Sequence, residues 1–200
     1  MTDCVLYVHG KGGSAEESAH YQQLFPEKEV IGMDYQSTVP WEVGSEIRET
    51  VKELGKKYGK ITLIANSIGA YFCMCAGIDR MIHKAFFISP IVDMEGLILQ
   101  MMAGANVTEA RLQEERLMQL SSGEVLSWEY LTYVREHPLR WTAPTEILYG
   151  EYDALTPYET ISSFARRHNA GFTVMRSGEH WFHTEEQMLF LNEWIQGVKK

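Results

Sequence analysis

The sequence predicts an α/β protein, a three-layer αβα sandwich around a mainly parallel sheet of about six strands. Two observations lead there. Six short apolar runs recur along the chain, at 5–8, 30–33, 61–65, 85–88, 146–149 and 172–175. Most are continuous rather than alternating, which suits strands covered on both faces of a parallel sheet. Helix-like segments with readable starts fill the gaps between them, and this βαβα rhythm implies right-handed crossovers with helices on both faces.

Taken in order, the first run ends at His9-Gly10-Lys11-Gly12-Gly13. Ser14 with Glu17 then has the spacing of a capping box, opening a segment that ends at Leu24-Phe25, where Pro26 stops it. Pro40 suits a first helical turn, and Ile47, Val51, Leu54 and Tyr58 follow at helical spacing. The third run leads through Asn66-Ser67-Ile68-Gly69-Ala70 into a helical stretch reaching Ala76. Thr156-Pro157 with Glu159 opens another helix, ending near Asn169-Ala170-Gly171. Thr184 with Gln187 opens the last, whose Leu191, Trp194, Ile195 and Val198 make one apolar stripe.

One stretch departs from the rhythm. Residues 94–141 contain no clear strand and read as two or three amphipathic helices, with breaks at Asn106-Val107-Thr108 and Ser121-Ser122-Gly123. An excursion of that length inside a single domain is a functional cover or an interaction surface.

Bulk properties narrow the function. A chain of 200 residues is enough for one domain with a sizeable core. The net charge of −9, without a Lys/Arg cluster, disfavours a nucleic-acid partner, because a phosphate backbone selects basic surfaces. Cys4, Cys73 and Cys75 are odd in number and lack a second ligand pair, so free buried thiols are expected, with no metal. Met1 to Cys4 enter a strand directly, without a signal-like segment, and no apolar run reaches membrane-spanning length. The cytoplasm is the expected location.

The chemistry concentrates around "LIANSIGAYF". A serine in a tight strand-to-helix turn has its hydroxyl lifted clear of the sheet, at a helix N-terminus whose free amides favour negative charge. Such a turn needs small residues two positions either side, and Ala65 and Gly69 supply them around Ser67. Alone, the pattern also fits an ordinary N-cap serine. Likewise "HGKGG" fits a tight turn, although it lacks both the G-x-G-x-x-G pattern and the Walker lysine of phosphate-binding loops. Three further segments bear on the choice: "VHGKGGSAEES" after the first strand, "ILYGEYDALTP" around the fifth and "MRSGEHWFHTEEQ" after the last.

With these segments the chain resembles the α/β-hydrolase superfamily over essentially its whole length except 94–141. The resemblance implies a Ser-His-Asp triad in the order Ser67, Asp153, His180. It makes Lys11 and Ile68 the donors of two backbone N–H groups to an oxyanion hole. Asp93, after the fourth strand, is the alternative acid and His183 the alternative base; His9 belongs to the framework of the oxyanion loop. His20, His83, His137 and His168 are expected in solvated or capping roles. Residues 94–141 fall where these enzymes insert a helical cap. The first strand begins near residue 3, so the resemblance is to small members that lack the usual first two strands. The second strand also ends in Asp34-Tyr35-Gln36 instead of the D-x-x-G turn of relatives, which reshapes one wall of the pocket. The implied activity is hydrolysis of a carboxylic ester or thioester of a small, partly apolar substrate through an acyl-enzyme, without cofactor. A triad-bearing lyase, a C–C hydrolase and a non-catalytic binding relative are the alternatives.

Overall fold

The computed structural model describes residues 1–199. Its larger compact unit comprises Met1–Val92 and Arg140–Lys200. The first strands of this unit are β1 (Cys4–Val8), β2 (Glu29–Met33), β3 (Ile61–Asn66) and β4 (Lys84–Ile88). After two short strands elsewhere, β5 (Leu117–Gln119) and β6 (Val125–Ser127), the sheet resumes with β7 (Thr145–Gly150) and β8 (Gly171–Met175). The six form one sheet in the order β2-β1-β3-β4-β7-β8, with every pair parallel. All six match the apolar runs of the sequence to within a residue or so at each end.

The chain enters this sheet one strand in from an edge, moves outward to the edge strand β2, then crosses back to β3 on the other side of β1. Strand order therefore reverses at β1, between the loops that leave β1 and β3. In an open parallel sheet the crevice between such loops, at the carboxyl ends of the strands, is where a ligand finds room.

The helices of this unit are α1 (Ala19–Gln22), α2 (Pro40–Lys57) and α3 (Ile68–Cys75), and later two more. On one face Val5, Tyr7, Phe86 and Leu148 form a core with Tyr21 and the Phe25 ring. The alternate positions Leu6, Leu63, Phe87 and Ile147 are fully buried on the other face. Val43, Ile47 and Val51 give α2 a buried stripe at helical spacing. Each such Val, Ile or Phe contributes about 1.5–3 kcal/mol by leaving water.

The segment after β1 corrects an expectation. Ser14 makes no capping bond with its side chain, and only a 3-10 turn, Ala15–Ser18, precedes the short α1. Glu17 instead accepts a hydrogen bond from the Tyr7 hydroxyl. Tyr7 is almost wholly buried, and a buried hydroxyl without an acceptor is costlier than an uncapped surface turn.

The smaller compact unit, Asp93–Leu139, contains α4 (Met94–Gly104), α5 (Glu109–Glu115), the hairpin of β5 and β6, and α6 (Trp128–Glu136). The break at Asn106-Val107-Thr108 falls between α4 and α5, where Thr108 caps α5. The hairpin is a correction, since only helices are expected there. Ser121-Ser122-Gly123 forms its turn, with Gly123 at φ 88° and Leu120 N–H donating to the Glu124 carbonyl at 2.7 Å. Three-residue strands are too short to show an alternation in sequence. Arg135 fastens the unit, donating to Glu95 at 2.6 Å and in a two-pronged pair to Glu109 at 2.8 and 2.7 Å.

The chain then returns to the larger unit with α7 (Tyr158–Arg167) and α8 (Glu185–Val198). In α8 the anticipated capping box forms, with Thr184 accepting from the Gln187 N–H at 3.3 Å and Gln187 from the Thr184 N–H at 3.4 Å. Leu191, Trp194 and Ile195 are buried in the core of the first face. Among the described residues no helix is long and apolar enough to cross a membrane.

Candidate active site

Ser67 ends β3 and starts α3, and its backbone sits at φ 52°, ψ −120°. Non-glycine residues avoid that region, and holding one there costs on the order of 1–3 kcal/mol, which surrounding structure must offset. Here the Ser67 N–H donates to the Ile88 carbonyl at 2.9 Å, and the Ser67 carbonyl accepts from Ala70 at 3.2 Å and Ile91 at 3.2 Å. The small neighbours have a physical cause. A Cβ on Gly69 would lie 2.3 Å from the His9 carbonyl oxygen, so only glycine lets α3 pass the end of β1. Ala65 is completely buried in the strand below.

The acid and base loops arrive from β7 and β8. Gly150 ends β7, and a Cβ there would meet the Glu179 carbonyl at 2.4 Å and the Gly178 carbonyl at 2.6 Å. The two loops are thus pressed backbone to backbone, with Tyr152 N–H donating to the Gly178 carbonyl at 2.8 Å. Asp153 and His180 follow from that contact.

Three side chains meet as a result. Ser67 Oγ lies 2.8 Å from His180 Nε2, and His180 Nδ1 lies 2.7 Å from Asp153 Oδ2. A carboxylate only accepts, so Nδ1 carries the proton and Nε2 presents its lone pair to the serine hydroxyl. The Asp153 side chain is fully buried, whereas His180 is 18% exposed. The other carboxylate oxygen accepts from Leu155 N–H at 2.8 Å and Thr156 N–H at 3.1 Å. Those bonds fix the carboxylate's orientation and stabilise its charge in a buried place.

The alternative residues are occupied elsewhere. Asp93 caps α4, accepting from the Gly96 N–H at 2.9 Å. His183 stacks on Trp181 with centroids 4.3 Å apart, and its Nδ1 lies 2.7 Å from the Trp181 carbonyl.

The loop carrying Lys11 lies against the serine turn, since a Cβ on Gly10 would be 3.2 Å from Ser67 Cβ. Ile68 is the first residue of α3, where helix geometry leaves amides without intrahelical acceptors. His9 is buried, with Nδ1 at 2.7 Å from the Gly10 carbonyl and Nε2 at 3.4 Å from Asp34.

Two residues join this region without a signal in the motifs. Tyr35 stacks on His9 at 4.3 Å and donates its hydroxyl to the His9 carbonyl at 3.2 Å, so the unusual end of β2 braces the glycine loop. Ser89 follows β4 at φ 44°, fully buried, with its hydroxyl lacking a partner among the described residues. Only the unusual Asp34-Tyr35-Gln36 turn hinted at the first; nothing in sequence marked the second.

The cysteines lie apart from this chemistry. Burial raises the Cys4 and Cys75 thiols to about 11, and Cys73 further still. All three are free, and none is poised as a thiolate near neutral pH. Among the described residues no three His, Cys, Asp or Glu side chains gather as a metal site.

Comparison by sequence finds no matching family model and no matching curated protein. Comparison by structure finds many matches. Est1E from Butyrivibrio proteoclasticus is 18% identical, with a TM-score of 0.75, covering 99% of this chain and 86% of that one. Alpha/beta hydrolase domain-containing protein 10 from mouse is 15% identical, with a TM-score of 0.78, covering 98% and 88%. A Pyrococcus furiosus esterase is 18% identical, with a TM-score of 0.66, covering 99% and 80%. The chain has the α/β-hydrolase fold.

Proposed function

We propose that this protein is a serine hydrolase that cleaves a carboxylic ester or thioester of a small, partly apolar substrate through an acyl-enzyme. The observation that carries the reading is the relay from Ser67 through His180 to buried Asp153, at 2.8 and 2.7 Å. Ser67 is the nucleophile, His180 the general base and then acid, and Asp153 the group that holds the imidazole tautomer and stabilises the imidazolium. His180 Nε2 takes the hydroxyl proton as Ser67 Oγ attacks the carbonyl carbon. The tetrahedral oxyanion is received by the backbone amides of Lys11 and Ile68, an effect worth about 3 kcal/mol per donor. His180 then returns the proton to the leaving alcohol or thiol, and water attacks the acyl-enzyme by the same route in reverse.

The fold and the hydrolase and esterase names of its structural neighbours support this reading. The test is pre-steady-state hydrolysis of p-nitrophenyl esters and acyl thioesters across chain lengths. A burst of one product equivalent per chain, absent in Ser67→Ala, is expected. Failure of the folded wild-type protein to turn over any member of either series would overturn the proposal.

A further inference from the structure

The opposite edge of the sheet, at the amino ends of β1, β3 and β4, encloses a cavity of about 110 Å³. Phe25 and Phe86 form apolar walls, and the ammonium-bearing residues Lys28, Lys60, Lys84 and Lys199 surround them, with His83 beside them. Among the described residues of the lining Asp3 is the one carboxylate, and its Oδ1 accepts the Lys60 backbone N–H at 2.9 Å. In a chain with 27 acidic and 18 basic residues, such a local excess of positive charge runs against the overall balance. Like charges repel, and a fold holds them together at a cost unless a counter-charge joins them.

Partial explanations exist for three of the lysines, and they leave the convergence unexplained. Lys84 is engaged by Glu146 at 3.6 Å and by the Val198 carbonyl at the end of α8. Lys199 donates to the Leu24 carbonyl at 2.8 Å, and Lys28 to the Thr62 hydroxyl at 3.3 Å. Lysine is a natural partner for carbonyls at helix ends. Yet an ammonium has three donors, and each of these bonds uses one. Lys28 and Lys199 both lie over the Phe25 ring, at 5.7 and 5.6 Å from its centroid, half-buried beside the same cavity. Among the described residues, Lys28, Lys60 and Lys199 have no ion-pair partner, in contrast to Lys52 and Lys56, each 2.6 Å from a glutamate.

We propose that this convergence of Lys28 and Lys199 on one small cavity, with Lys60 also in its lining, is a binding site for a tetrahedral oxyanion, the phosphate group of a small ligand. The size favours a phosphoryl group over a whole cofactor, because pockets that enclose drug-sized molecules run to roughly 300–1,000 Å³. The Thr62 hydroxyl supplies a neutral partner, and the Phe25 ring holds Lys28 and Lys199 in place without neutralising them. The site lies at the end of the strands away from Ser67, Asp153 and His180, so it stands whether or not those residues hydrolyse an ester.

Isothermal titration calorimetry tests it, using inorganic phosphate and glycerol 3-phosphate against chloride at matched ionic strength. Saturable heat with phosphate identifies a site for the free ion; heat with glycerol 3-phosphate alone identifies a phosphate monoester as the ligand, and either supports the proposal. Lys28→Gln and Lys199→Gln each weaken binding about tenfold, as expected for one charge-assisted hydrogen bond. Lys60→Gln, at an exposed position with little structural risk, weakens it as well, Lys28→Arg restores it, and Lys52→Gln on α2 leaves it unchanged. Absence of saturable heat with both ligands would overturn the proposal, as would wild-type binding in Lys28→Gln and Lys199→Gln.

Discussion

Ser67 shows the link between strain and chemistry at the scale of one residue. Its φ of 52° lies where glycine is comfortable and serine is not, and the bonds to Ile88, Ala70 and Ile91 hold it there. Replacing Ser67 with Gly removes the strain, so unfolding in urea should show a gain of about 1 kcal/mol while turnover disappears. Asp153→Asn keeps the packing but loses the acceptor that fixes the His180 tautomer. On the proposed mechanism its kcat falls by about 10⁴-fold with an unchanged circular dichroism spectrum, the size of loss known for that substitution in a serine protease. The serine turn was legible because Ala65 and Gly69 met a steric demand, now seen as the 2.3 Å approach of a Gly69 Cβ to the His9 carbonyl. Ser89 was not legible, because its strain and orphaned hydroxyl depend on tertiary neighbours and leave no local pattern.

At the scale of elements, the two capping boxes read in the sequence had opposite outcomes. Thr184 and Gln187 form theirs, and Thr184→Ala should cost about 1 kcal/mol, read as a lower urea midpoint. Ser14 and Glu17 have the same spacing, but Glu17 is claimed by the buried Tyr7 hydroxyl from β1. Local spacing cannot reveal a competitor that arrives from another strand. The contact between the β7 and β8 loops carries a prediction of its own. Gly150→Ala inserts a methyl group where the Glu179 and Gly178 carbonyls stand at 2.4 and 2.6 Å, displacing the loop that bears His180. Ester turnover should fall at least tenfold, although every side chain of the proposed triad remains, while Gly55→Ala on α2, whose Cβ meets nothing within 4 Å, serves as the control.

For the molecule as a whole, the parallel sheet was legible because strands buried on both faces declare themselves as unbroken apolar runs. The Asp93–Leu139 unit was less so, because a hairpin of two three-residue strands resembles loop in sequence. Burial also sets an alkaline limit on stability. Cys4 and Cys75 stay protonated in the fold up to about pH 11, while the same thiols in the unfolded chain ionise near 9.0. The unfolded state therefore releases protons first, and the stability present below pH 9 is lost as pH rises from 9 towards 11. Urea midpoints at pH 7.5, 9 and 10.5 should be level at first and then fall. The Tyr35 phenol, raised to about 12 by burial, extends the decline upward.

On the proposed mechanism Ser67 is a nucleophile activated by His180. Labelling with a fluorophosphonate, followed by mass spectrometry of the digested chain, measures it directly. One adduct per chain is expected, on the peptide bearing Ser67, absent in Ser67→Ala and slowed at least a hundredfold in His180→Ala. A folded wild-type protein that takes no label, or an adduct that persists at full rate without His180, would contradict it.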